Sequence, residues 1–246
     1  MKSLTDEEFI NTLIDECKKQ NIELDENKAK ALKIYKELLV EWNEKMNLTA
    51  ITEDYEVIIK HFVDCLECTH LITDEKKIID VGTGAGFPGM VLAIYYPQID
   101  FTLLDGLNKR LIFLEVVVNK LGLKNVKIVH ARAEEAARNE EYFEFFDAVV
   151  SRAVANLPVL LEYTSPYVKV NGKCIVMKGD NAKEELDLAK NAMNVLKLRN
   201  IDNKEYKYSY TINDEGYNRT ILYIEKIGNT PNKYPRNYGQ IKKKAL

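Results

Sequence analysis

The residues best suited to chemistry form a glycine-rich run, Asp80-Val81-Gly82-Thr83-Gly84-Ala85-Gly86-Phe87-Pro88-Gly89. It follows Lys77-Ile78-Ile79, an apolar, β-branched stretch that reads as the start of a buried parallel strand. Glycines let the backbone turn sharply after a strand and approach a ligand closely. The helix expected next offers free N–H groups at its N-terminus. Asp105 ends the following apolar strand, about 20 residues on, where a carboxylate can hold ribose hydroxyls. Two cofactors fit this pattern. Gly84-x-Gly86-x-x-Gly89 matches the dinucleotide fingerprint, whereas Gly82-x-Gly84-x-Gly86 after acidic Asp80 suits S-adenosylmethionine. An acid inside the strand favours the methyl donor, because dinucleotide strands usually carry an apolar residue there. Plainer roles stand beside these: Asp80 as a cap of the turn, Asp105 as a helix N-terminal acid, and the glycines as a tight turn without a ligand.

A second cluster is His61, Cys65 and Cys68, at i, i+4 and i+7. A helix puts them on one face. Structural zinc sites draw ligand pairs from two separated segments, so a packed helix face is expected and no metal. The four cysteines are too few and scattered for a disulfide framework and are expected as thiols.

The elements that position these residues change character along the chain. Residues 1–72 read as a helical extension. Asp6-Glu7-Glu8 suits a helix start, apolar residues recur at helical spacing from Lys28 to Asn43, and a further helix is predicted over Tyr55–Leu71. From 73 to 246 strands alternate with helices. Strands are predicted over 77–81, 100–105, 126–129, 147–151 and 172–177, with helices over 89–96, 108–121, 156–168 and 181–197. Residues 206–210 and 220–225 alternate like an antiparallel pair at a sheet edge. The fold class is therefore α/β, with a mostly parallel seven-stranded Rossmann-like sheet behind a helical extension.

Composition sets outer bounds. The 246 residues carry a net charge of −3, which does not mark a general polyanion binder. The distribution says more: Lys226 to Leu246 holds six Lys/Arg and no acid, with Tyr234 and Tyr238 among them. That end is expected to touch phosphates. The acidic opening MKSLTDEEFI has no signal-peptide core, and no apolar run approaches the roughly 18 residues of a membrane span. A cytoplasmic monomer is expected.

Several blocks together resemble the glucose-inhibited division protein B family, the bacterial 16S ribosomal RNA guanine-N7 methyltransferases. They are Glu41-Trp42-Asn43-Glu44-Lys45-Met46-Asn47-Leu48-Thr49-Ala50-Ile51, His61-Phe62-Val63-Asp64, Val81–Gly89, and Leu104-Asp105-Gly106-Leu107-Asn108-Lys109-Arg110. Ser151-Arg152-Ala153-Val154, Lys178-Gly179 and Tyr234-Pro235-Arg236 continue the series. Their order and spacing cover nearly the whole chain. The chain departs from the family's usual serines at Cys65 and Gly106, and from its common Pro-Leu ending at Ala245-Leu246.

The resemblance implies an S-adenosylmethionine-dependent methyltransferase of Rossmann-like fold acting on 16S ribosomal RNA or the small ribosomal subunit. It implies that Gly82, Gly84, Gly86 and Phe87 line the donor's methionine and ribose. Asp105 and Gly106 meet ribose and adenine, Ala133 and Glu134 edge the adenine, and Arg152 sits where donor and RNA meet. Guanine N7 carries a lone pair and no proton, so methyl transfer to it requires no general base. Arg152 is the one candidate catalytic side chain. Lys109, Arg110, Arg152, Lys178 and Arg236 are the candidate RNA contacts. Two other readings stand beside this one: an NAD(P)-dependent oxidoreductase using Gly84-x-Gly86-x-x-Gly89, and a non-catalytic RNA-binding module.

Overall fold

The N-terminal helices begin where the sequence supplies caps. In the computed structural model, which describes residues 3–201, 206–212 and 215–246, helix α1 (Asp6–Lys19) opens with a capping box. The Glu8 N–H donates to the Thr5 hydroxyl at 3.3 Å, and the Thr5 N–H to the Glu8 carboxylate at 2.8 Å. Helix α2 (Glu26–Met46) is capped by Asp25 and ends on left-handed Asn47. Their apolar stripes bury Phe9, Leu13, Leu32, Tyr35 and Leu39.

The next helical stretch was expected to be one α-helix, and it is not. It runs as α3 (Asp54–Val57), a π-helix over Ile58–Val63, α4 (Asp64–Leu66) and a 3-10 turn over Glu67–Leu71. The widened π-turn coincides with a tertiary contact. The Lys60 carbonyl within it accepts a hydrogen bond from Arg152, at 2.9 Å, and a side chain entering the helical ladder loosens it.

Among the described residues eight strands form one sheet: β1 (Lys77–Val81), β2 (Asp100–Asp105), β3 (Val126–His130), β4 (Phe146–Arg152), β5 (Val168–Lys178), β6 (Leu198–Asn200), β7 (Tyr206–Ile212) and β8 (Glu215–Lys226). The order is β3-β2-β1-β4-β5-β8-β6, with β7 also on β8. The first five are parallel, and β8 runs antiparallel to β5. Seven strands were expected. The additional one, β6, is a three-residue piece pairing with Ile224–Lys226, while β7 pairs with Glu215–Ile221. Both lie on the same edge of β8, so the sheet keeps seven strand positions.

Helices α5 (Gly89–Tyr95), α6 (Asn108–Leu121), α7 (Ala133–Ala136), α8 (Leu157–Thr164), α9 (Ala182–Leu188), α10 (Lys190–Val195) and α11 (Tyr238–Lys243) complete the chain. The predicted helix over 156–168 stops as an α-helix at Thr164 and continues only as a 3-10 turn over Ser165–Tyr167, because Pro166 has no N–H to donate to the ladder. The predicted helix over 181–197 divides at Ala189, where no glycine or proline marks a break.

Alternate strand residues feed opposite cores. Ile78, Ala148 and Val150 join α1, α2, α5, α6 and the π-helix on one face. Ile79, Val81 and Val149 join α8, α9 and α10 on the other. The N-terminal helices thus share one core with the sheet: Tyr35 stacks on Phe87 at 5.6 Å and on Phe113 at 6.1 Å. Each such fully buried side chain contributes about 1.5–3 kcal/mol. Among the described residues no helix is long and apolar enough to cross a membrane.

Candidate active site

Parallel strands bring their C-terminal ends to one rim of the sheet, and the order reverses between β1 and β4, where α/β proteins bind ligands. The glycine turn fills that point. The Gly82 and Thr83 N–H groups both donate to the Leu104 carbonyl, at 2.8 and 3.0 Å. Buried Asp80 accepts from the Thr83 hydroxyl at 2.7 Å and the Gly89 N–H at 2.8 Å. Asp80 therefore caps the turn. Burial pushes its carboxyl up to about 7, although those two hydrogen bonds pull the other way. A Cβ on Gly89 would meet Asp80 and Leu103 within 2.7 Å, so only glycine lets the helix sit this close to the strand.

Asp105 ties the second strand to the turn. Its carboxylate accepts the Gly84 N–H at 2.9 Å and the Leu107 N–H at 2.8 Å, with Arg110 3.4 Å away. A carboxylate has about four acceptor positions, so capacity remains for hydroxyls. Asp105 lines a cavity of about 750 Å³ together with Val81, Gly82, Gly106, Ala133 and Glu134. That size suits a nucleoside-type ligand. Apolar Leu104, Leu107 and Val159 line it together with the two carboxylates, a lining that fits a ligand with a flat aromatic base and a sugar diol.

A second cavity of about 670 Å³ opens beside the first. Its lining includes Lys60, His61, Asp64, Arg152, Lys178 and Arg219. The two cavities share Val154, Ala155 and Asn156, the loop that follows β4. This loop is built under constraint. Ala153 has φ +57°, a left-handed conformation costly for a residue with a side chain. The buried Ser151 hydroxyl donates to the Val81 carbonyl at 3.0 Å. The Lys178 ammonium donates to the Ala155 carbonyl at 2.8 Å and to Glu185 at 2.7 Å, and Glu185 also accepts the Leu157 N–H at 2.6 Å.

Arg152 is the hub of the second cavity. It donates to Asp64 at 2.9 Å, comes within 3.3 Å of His61 Nδ1, and lies 5.0 Å over the Phe87 ring. Asp64 also accepts from the Tyr208 hydroxyl at 2.7 Å and meets Arg219 at 3.4 Å. His61 stacks on Phe87 at 4.2 Å, and its Nε2 is 2.9 Å from the Thr49 hydroxyl. Burial and the Arg152 charge hold the imidazole down to about 3, so it is neutral near pH 7.

The structure brings Gly82, Asp105, Gly106, Ala133 and Glu134 to the first cavity, and Arg152 and Lys178 to the second. Gly84, Gly86 and Phe87 form the turn, with Phe87 packed against Tyr35 and His61. Lys109 is exposed at the start of α6, next to Arg110, which reaches Asp105. Arg236 is bound to buried Glu162 on α8. Sequence reasoning missed Arg132, Asn156, Tyr163, Tyr238 and Ile241 as lining residues and read His61 only as part of a packed face. No local pattern could have joined Tyr238 and Ile241 to a glycine turn more than 140 residues earlier. The cysteines are buried thiols.

Similarity to known proteins agrees with this geometry. The family model described as rRNA small subunit methyltransferase G matches residues 28–210. Ribosomal RNA small subunit methyltransferase G of Clostridium perfringens (strain 13) is 48% identical over 245 residues, covering 97% of this chain and 99% of that relative. The protein of the same name from Alkaliphilus metalliredigens is 47% identical over 236 residues, covering 95% and 97%. Among solved structures, NSun6 from Pyrococcus horikoshii with SFG superposes with a TM-score of 0.50 at 16% identity, covering 63% of this chain and 49% of that one. That likeness speaks for the Rossmann-like fold. An oxidoreductase and a non-catalytic module are set aside by the full-length matches, and the chain belongs to the GidB family, rRNA small subunit methyltransferase G.

Proposed function

We propose that this chain transfers a methyl group from S-adenosylmethionine to N7 of one guanine in 16S ribosomal RNA. The observation that carries the reading is the pair of adjoining cavities at the sheet rim, sharing the wall Val154–Asn156. The donor belongs in the first, with Asp105 and Gly106 at its ribose and Ala133 and Glu134 at its adenine. The target base belongs in the second, beside Arg152. A stacked, paired guanine is hard to reach, so an unstacked base in the RNA is the natural substrate.

The bound donor supplies an electrophilic methyl on a sulfonium. The chain's residues align the acceptor with it. Guanine N7 offers its lone pair directly, and no residue has to remove a proton. Holding the reacting atoms in line is then the main catalytic contribution, and it falls to the braced loop 153–156. Ser151, Lys178 and Glu185 hold that loop through the bonds described above. His61, neutral near pH 7, adds no positive charge as the base becomes cationic. Asp64 answers the Arg152 and Arg219 charges at the same place, a fixed electrostatic environment of the kind that favours developing charge.

Lys109, Arg110 and Arg152 are assigned to RNA contact, whereas Lys178 is assigned to loop support. We read residues 1–72 as a helical extension of the methyltransferase domain 73–246, and place the reaction in the cytoplasm, with the chain acting as a monomer and without a metal. The test is mass spectrometry of 16S RNA from cells lacking the protein. One 7-methylguanine should be missing and should return when the wild-type chain is restored. An unchanged set of 7-methylguanines overturns the reading.

A further inference from the structure

The first cavity is closed on one side by the end of the chain: Tyr238, Ile241 and Lys242 of α11, with Ala245, are part of its wall. Six residues do not hold a helix in water by themselves, so something else fixes α11 there. Asn237 and Gln240 form a capping box. Arg236 clamps both ends: its N–H and Nε donate to Glu162, at 2.9 and 2.8 Å, and its Nη2 reaches Glu162 at 2.6 Å and the Lys244 carbonyl at 2.9 Å. Glu162 is fully buried, so this ion pair is shielded from solvent.

The two sides of α11 differ. Ile241 is buried, and the Tyr238 ring lies 4.3 Å from the Arg132 guanidinium. Arg132 in turn bonds Glu134 at 2.9 Å, a cavity carboxylate. The helix therefore touches the Ala133–Glu134 end of the cavity. Lys242, Lys243 and Lys244 are exposed, and the sequence from Lys226 to Leu246 carries no acid. Three adjacent ammonium groups on a short element suit a phosphate backbone.

We propose that α11 couples the two substrates: RNA phosphates engaging Lys242, Lys243 and Lys244 hold α11 over the first cavity and tighten binding of the methyl donor. The inference rests on the proposed donor site. Arg236 is here a positioning residue, and its charge goes to Glu162 rather than to RNA. By linkage, a donor in the cavity tightens RNA binding by the same factor.

The test is calorimetric titration of the full chain with S-adenosylhomocysteine, the unreactive product of the donor, with and without a 16S RNA fragment or the small subunit. RNA should lower the Kd for this ligand by about fivefold or more, the lower range of measured couplings. Lys243→Glu/Lys244→Glu, both exposed and neither in the cavity wall, should keep the RNA-free Kd within about twofold and lose the RNA-dependent gain, even with RNA concentration raised to restore occupancy. Tyr238→Ala should weaken the ligand without RNA while leaving thermal unfolding unchanged. Equal Kd values with and without bound RNA, or full coupling in the double variant, overturn the inference. A chain that binds no S-adenosylhomocysteine at all overturns instead the donor site on which it rests.

Discussion

Replacing Gly86 by alanine tests the glycine turn most sharply, because Gly84 supplies an internal control. Both have positive φ, +104° at Gly86 and +60° at Gly84, so alanine brings backbone strain of about 1–2 kcal/mol at Gly84, inside the left-handed well, and at least as much at Gly86, outside it. Their surroundings differ. A Cβ at Gly84 meets nothing within 4 Å, whereas one at Gly86 lies 2.5 Å from the Tyr35 hydroxyl, 2.8 Å from Met90 and 2.9 Å from Leu114. All three neighbours are fully buried. Overpacking a core costs about 1–3 kcal/mol. Displacing the Tyr35 hydroxyl also breaks its hydrogen bond to the Ala85 carbonyl, worth about 1 kcal/mol. Gly86→Ala should therefore lose about 3–6 kcal/mol and Gly84→Ala about 1–2. Urea unfolding reads both, with a shift in midpoint at unchanged slope. Equal losses in the two variants would show that Tyr35 yields freely, and the close-approach argument fails.

Three further outcomes follow from the site. Asp64→Ala leaves Arg152 charged and unanswered in a nearly closed setting, so stability should fall by about 3–5 kcal/mol; Asp64→Ala/Arg152→Met should recover part of it, and a single-variant loss under about 1 kcal/mol sinks the claim. The folded state holds His61 at about 3, below its ordinary 6.5. Its contribution is complete above about pH 6.5 and is lost as pH falls toward 3, at about 1.4 kcal/mol per pH unit. The wild type should thus lose stability faster than His61→Asn over that window, and parallel curves contradict the assignment. Asp105→Asn removes the charge that accepts from Gly84 and Leu107; S-adenosylmethionine should bind about tenfold more weakly, a loss of roughly 1.4 kcal/mol, and an unchanged Kd would remove Asp105 from the donor site.

The parallel half of the sheet was legible because its signals are local. Apolar runs of strand length, glycines at the turn and Gly122 after α6 each act within a few residues, and β1 and β2 lie where the pattern puts them. The acceptor side was less so. Its geometry depends on Arg152 reaching 92 residues back to the Lys60 carbonyl, and that contact also accounts for a π-turn that helical periodicity cannot reveal. Two charges assigned to RNA by type, Lys178 and Arg236, prove to be bound to Glu185 and Glu162. A sequence gives the sign of a charge and not its partner. The three-residue β6 is too short to carry a pattern.

The most direct measurement of the central claim uses purified protein, labelled S-adenosylmethionine and small ribosomal subunits from cells lacking this chain, with the modified base mapped. The assigned reaction requires label in a single 7-methylguanine of 16S RNA, and its loss in Asp105→Ala. Tight donor binding with no label on subunits or naked 16S RNA would contradict it.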